Sequence, residues 1–172
     1  MVSAAVATRA ASASEAHAWR WAALYLVFSV LAPLAYLFHR VRRGAIEDID
    51  IRRRRQRFGP QLLIVGCFGA SWAMLRVGAA PVPLLNLATV LFIHSVAVFG
   101  ITLRWKISLH SAMAAGTGFL LWVAFGMVAP IALMVVAVAW SRFRLGYHTP
   151  AQIVAGVGLG LAVFVPAFPL FS

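Results

Sequence analysis

Acidic residues, cysteine and charge in general are scarce in this chain. Only four of 172 residues are Asp or Glu, one is Cys, and 11% are charged against 63% hydrophobic. Soluble domains carry about 25% charged residues, so this composition excludes an ordinary soluble core and points to the bilayer. A lone Cys67 inside an apolar run excludes a disulfide framework and a cysteine-based zinc site. The glycines at 156, 158 and 160 have no strand before them, which excludes a nucleotide-binding glycine loop.

The net charge is +11. Such a balance can signal nucleic acid, but no soluble region is large enough to present a binding face. Anionic lipid heads or phosphate esters are the partners expected instead, and no nucleic acid. The length suits one domain over 17–172, preceded by a disordered tail over 1–16. The tail faintly resembles an organelle transit peptide; a frayed terminus is the commoner explanation.

Apolar stretches fall at roughly 19–38, 60–78, 81–101, 109–127, 128–140 and 150–171. About 20 apolar residues cross the hydrocarbon core as a helix, so the expectation is an all-α integral membrane bundle of six transmembrane helices. The split between the fourth and fifth rests on Gly126 and Pro130, which mark a turn or kink. Gly156, Gly158 and Gly160, with Ala155 and Ala162, make the last span small on part of its surface, suiting close helix packing.

Six spans put the loops after the first, third and fifth on one side. That side collects Arg40, Arg42 and Arg43, the arginines of 52–57, Arg104, Lys106, Arg142 and Arg144, which is 12 of the 15 basic residues. The positive-inside rule makes this face cytoplasmic, with both termini opposite. Cations kept to bind phosphate would bias that count.

Two polar clusters interrupt the apolar pattern on that face. In the loop around 141–148, Arg142 offers a planar fork of donors that matches a phosphate, and Ser141 stands beside it. His148 stands near the start of the last helix, where free N–H groups favour an anion. The same loop reads equally as a juxtamembrane anchor, since Trp140, Arg142, Arg144 and Tyr147 are all common at lipid interfaces. Lys106, Ser108 and His110 form the second cluster. Ser108 suits an N-cap. His110, an ionisable residue at the edge of a span, suits a proton donor.

The first loop holds Glu47, Asp48 and Asp50 beside five arginines, of which Arg54 and Arg57 share a face if helical. Ion pairing is the commoner fate of such carboxylates, and no metal is expected. His94, mid-span, reads as a packed, hydrogen-bonded histidine.

These residues resemble the type 2 phosphatidic acid phosphatase superfamily. Ser141, Arg142 and His148 fit its third signature, and Ser108 and His110 keep part of the second. The match to the first signature is poor. A divergent bacterial membrane branch is closer: Asp48, Arg54, Arg57, Lys106, Ser108, His110, His148, Thr149 and Gln152 match its elements over about 20–170. The resemblance implies a metal-free lipid phosphate phosphatase needing no cofactor. His148 would be the nucleophile forming a phosphohistidine, and His110 the acid for the leaving oxygen. Arg142, Arg54, Arg57 and Lys106 would hold the phosphate oxygens, with Ser108 and Ser141 beside them. A bacterial inner-membrane location, and an isoprenoid or phosphatidyl-type phosphate or diphosphate, follow by the same analogy, with a slight lean to isoprenoid.

One departure stands out. The family places an aspartate four residues after the nucleophile, and this chain has Gln152. Asp48 or Asp50 substitutes as the orienting group, or activity is lower, or the chain binds or transports lipid phosphates without hydrolysing them. A prenyl transferase would need two Asp-rich motifs, and one acidic cluster exists. A vanadate-type haloperoxidase shares the phosphate pocket but fits poorly to a membrane chain this short.

Overall fold

A computed structural model describes residues 15, 17–45, 51 and 54–170. Among these residues the chain is all-helical, with six helices and no strand: α1 (His17–Arg42), α2 (Phe58–Val77), α3 (Val82–Arg104), α4 (Leu109–Phe125), α5 (Val128–Arg144) and α6 (Pro150–Phe164). The helix of α1, the segment Arg54–Val77 and α3 are long and apolar enough to cross a membrane, while α4 and α6 are shorter apolar helices. The tail over 1–14, Glu47, Asp48, Asp50, Arg52 and Arg53 lie outside the described residues.

The helix boundaries have local causes. Pro33 has no N–H and would clash with the carbonyl one turn back, and α1 widens to a π turn at Val27–Leu31 just before it. Gly126 ends α4 in the left-handed conformation at φ 69°, and α5 starts at Val128 with Pro130 in its first turn, so the expected break falls where Gly and Pro marked it. Two expected limits shift. The helix expected to end at 140 runs on to Arg144, and within it the Ser141 hydroxyl donates to the Val138 carbonyl. The last helix stops at Phe164 instead of 171, since Pro166 and Pro169 cannot extend it, and a short 3-10 turn follows at Phe168–Leu170.

Hydroxyls inside the helices bond back to their own backbone: Ser71 to Cys67, Thr89 to Leu85 and Thr102 to Val98. In hydrocarbon no water satisfies these groups, so an intrahelical acceptor is the economical solution. Large apolar side chains such as Leu26, Phe28, Leu62, Val77, Leu133, Val136 and Val154 face outward. Soluble monomers rarely expose contiguous apolar surface on this scale, and lipid is its natural medium.

α4 and α6 form the closest helix pair. A Cβ on Gly156 would stand 2.6 Å from the Ser108 carbonyl oxygen, and one on Gly160 would stand 2.2 Å from that of Ala112. These two glycines let the backbones touch, as small residues do in membrane helices. Gly158 faces open space and takes no part. This packing sets the start of α4 against the start of α6, and Ser108 N–H donates to the Gln152 carbonyl across the seam at 3.2 Å. Gly160→Ala is therefore expected to destabilise the protein by about 1–3 kcal/mol through backbone displacement. Gly158→Ala is expected to be near neutral. Thermal unfolding of both variants in detergent checks the contrast.

Candidate functional site

Three loops that lie far apart in sequence meet at one end of the bundle, and Arg57 joins them. Its side chain is 6% exposed. Nε donates to the Ile51 carbonyl at 2.8 Å, one terminal nitrogen donates to the Ile107 carbonyl at 3.1 Å, and the other lies 3.4 Å from His148 Nε2. One planar fork thus touches the loop after α1, the loop after α3 and the loop after α5. Ile51 holds a left-handed backbone at φ 41°, a conformation that a β-branched residue adopts only when its surroundings compel it. Its carbonyl is thereby aimed at Arg57.

His148 is fixed from its other side. The helix α6 opens with a reciprocal cap: Thr149 Oγ1 accepts from Gln152 N–H, and Gln152 Oε1 accepts from Thr149 N–H. The same Gln152 oxygen lies 3.1 Å from His148 Nδ1. An amide oxygen only accepts, so Nδ1 carries the proton and Nε2 presents its lone pair towards Arg57. The backbone N–H of His148 reaches back to the Arg142 carbonyl at 3.4 Å, closing the turn.

Burial and nearby charge keep this ring neutral. Burial pulls the His148 pKa from 6.5 down to about 4, helped by the Arg57 and Lys106 charges; the Gln152 hydrogen bond pushes weakly upward, and His110 adds a further lowering. At neutral pH the ring is an uncharged imidazole with an available Nε2.

The remaining candidates divide into near and diverted groups. Lys106 Nζ donates to the Tyr147 carbonyl at 2.7 Å, beside His148. His110 is exposed and lines a cavity of about 210 Å³ with Arg57, Ile51 and Gln61. His148 contacts the same guanidinium without lining that cavity, so Arg57 is the shared neighbour of both histidines. The Ser108 hydroxyl is fully buried in the α4 cap, 2.8 Å from Ser111 Oγ. Arg54 reaches the Thr102 carbonyl at 3.1 Å and also the Leu103 carbonyl, closing the end of α3. Arg142 Nε donates to Ser141 Oγ at 3.3 Å, and its guanidinium lies 5.5 Å from the Tyr147 ring centroid. Asp48 and Asp50 lie outside the described residues. Among the described residues no group of three or more His, Cys, Asp or Glu gathers as a metal would require.

Two residues of this end escaped sequence reasoning. Ile51 carries no chemical signal in its side chain, and its part is played by its backbone. Gln61 stands one helical turn beyond Arg57 on α2; that i, i+4 spacing was its available signal. His94 also differs from expectation. It packs edge-on against Phe164 at 5.5 Å, yet neither ring nitrogen has a hydrogen-bond partner among the described residues.

In the ligand-free protein, an NMR titration is expected to place the His148 midpoint near 4. Gln152→Glu is expected to raise it, because a carboxylate favours the imidazolium. The same depression makes stability fall as pH drops from 6.5 towards 4, since the unfolded chain takes up a proton that the folded chain refuses. No family model matches the chain, and neither a curated protein nor a solved structure does.

Proposed function

We propose that the chain is an integral membrane phosphatase that hydrolyses a lipid phosphate or diphosphate through a phosphohistidine on His148. The observation that carries this reading is the clamped neutral imidazole: Gln152 Oε1 on Nδ1, and the Arg57 guanidinium at Nε2. A nucleophile held in one tautomer beside a buried cation is what phosphoryl transfer requires.

In the proposed reaction the phosphate displaces the Arg57 nitrogen from Nε2 and takes its hydrogen bonds. The Nε2 lone pair forms the N–P bond as the bond from phosphorus to the lipid oxygen breaks. His110 gives its proton to that oxygen. Water then attacks phosphorus, His110 takes the proton back, and the N–P bond breaks to release phosphate. Lys106 and Arg142 supply further positive charge at this end, and Gln152 steadies the ring by its dipole alone.

The proposal includes six membrane spans, with α4, α5 and α6 crossing beside the three longer helices. It places the site at the cytoplasmic face of a bacterial inner membrane, on the strength of the 12 basic residues assigned to that side. A substrate whose tail stays in the bilayer suits a site at a helix end of such a bundle.

A second reading is favoured by one observation. The His148 partner is a neutral amide, which cannot balance the cationic ring of a phosphohistidine. A lipid-phosphate binding or transport protein would need the cations and not the carboxylate. Phosphate release from a panel of lipid phosphates by purified protein separates the two. The phosphatase reading expects release by the wild type, none above background by His148→Ala, and a loss of roughly 10²–10³ in kcat for Arg57→Gln. No release by the wild type on any member of the panel would overturn the phosphatase reading.

A further inference from the structure

Among the described residues, three polar side chains line the cavity of about 210 Å³ at the start of α2: Arg57, Gln61 and His110. Leu34, Leu37, Pro60, Ile64 and Leu109 make most of the remaining wall apolar. Arg57 and His110 already have tasks in the proposed reaction, and Gln61 has none. Gln61 is 7% exposed, and its Oε1 has no hydrogen-bond partner among the described residues. An amide oxygen buried in this way gives up its hydration for nothing, which native proteins seldom tolerate. A water molecule is the ordinary answer, and it needs room and at least two polar partners. This cavity has both: it is several times the roughly 30 Å³ share of one water, and Gln61 and His110 line it together.

The place of that water bears on the second half of the proposed reaction. In-line displacement puts the leaving oxygen, and later the attacking water, on the face of phosphorus away from His148 Nε2. His148 meets Arg57 without lining the cavity, whereas His110, the acid for the leaving oxygen, lines it. The cavity therefore belongs to the leaving-group side. Water attacks through an oxygen lone pair, so the groups that hold it there must accept its O–H bonds and not donate to its oxygen. His110, neutral once it has given up its proton, accepts one. The unpaired Gln61 oxygen is an acceptor for the other.

We infer that Gln61 is a positioning residue for hydrolysis: its Oε1 accepts one O–H of the attacking water while His110 accepts the other, so that a lone pair faces phosphorus. The inference rests on the phosphatase reading above and adds a residue to its second step alone. In that step the water oxygen forms the new bond to phosphorus. The Nε2–P bond breaks and its electron pair returns to the His148 ring. One water proton passes to His110, and Gln61 keeps its hydrogen bond without taking a proton. In the first step the lipid oxygen has no O–H to offer until His110 protonates it. Gln61 therefore speeds the breakdown of the phosphohistidine and contributes little to its formation.

Product analysis in methanol–water mixtures tests this. Protein in lipid nanodiscs is given a lipid phosphate of the panel that it hydrolyses, and methyl phosphate is counted against inorganic phosphate. Methanol can give its one O–H to His110 and has none left for Gln61. The wild type is therefore expected to favour water over methanol roughly tenfold more than Gln61→Met does, the usual worth of a neutral hydrogen bond. Gln61→Glu keeps an accepting oxygen and is expected to stay within about threefold of the wild-type product ratio. In quenched flow, Gln61→Met is expected to form the phosphohistidine within about twofold of the wild-type rate and to break it down roughly tenfold more slowly. A wild-type product ratio in Gln61→Met, whatever its total activity, would overturn the inference and leave the phosphatase reading standing. A ratio shifted equally in Gln61→Met and Gln61→Glu would also overturn it. No phosphate released by the wild type from any lipid of the panel would overturn the phosphatase reading and the inference together.

Discussion

The buried guanidinium of Arg57 is the constraint on which this end of the bundle depends. A cation taken out of water must be met by acceptors on every side, or its desolvation goes uncompensated. Here the acceptors are the carbonyls of Ile51 and Ile107 and the ring of His148, each from a different loop. Satisfying one side chain therefore fixes the relative positions of three segments. It also explains the unusual backbone of Ile51, whose left-handed conformation turns a carbonyl inward. Removing the cation would take away the contacts of Ile51, Ile107 and His148 with it at once.

The second anchor is the start of α6. One glutamine oxygen closes the helix cap and holds His148 Nδ1, so the imidazole is oriented by the same interaction that starts the helix. The glycine seam below, Gly156 and Gly160 against Ser108 and Ala112, presses α6 onto α4 and brings Ser108 N–H to the Gln152 carbonyl. Packing of small residues thus carries through to ring geometry. A neutral orienting group and a depressed His148 pKa belong together, since neither calls for a buried carboxylate. In the proposed chemistry the positive ring that forms on phosphorylation is balanced by the negative phosphoryl group it carries, and the amide oxygen only orients it.

Much of this was legible in the residues. Apolar runs located six helices, and Gly126 with Pro130 separated the fourth from the fifth. The pairing of His148 with Gln152 was implied by the family resemblance, which puts an orienting group four residues after the nucleophile. What was not legible depended on side-chain direction. Arg54 and Arg57 look alike in sequence, yet one closes α3 through Thr102 and Leu103 while the other is buried against His148. Ser108 and Ser141 looked like phosphate donors and are held in local backbone turns. Arg142 leans on Tyr147. The state of His94 was hidden too: a histidine in mid-helix looks the same whether its nitrogens are satisfied or not, and only the packing around it distinguishes the cases.

The central claim is that His148 Nε2 is the atom that takes the phosphoryl group. Its most direct measurement is rapid quenching of the purified protein with a lipid phosphate labelled in phosphorus, followed by mapping of the labelled peptide. The account predicts an acid-labile, base-stable phosphate on His148 that forms and decays at the rate of turnover. Turnover without label on His148, or label on a different residue, would contradict it.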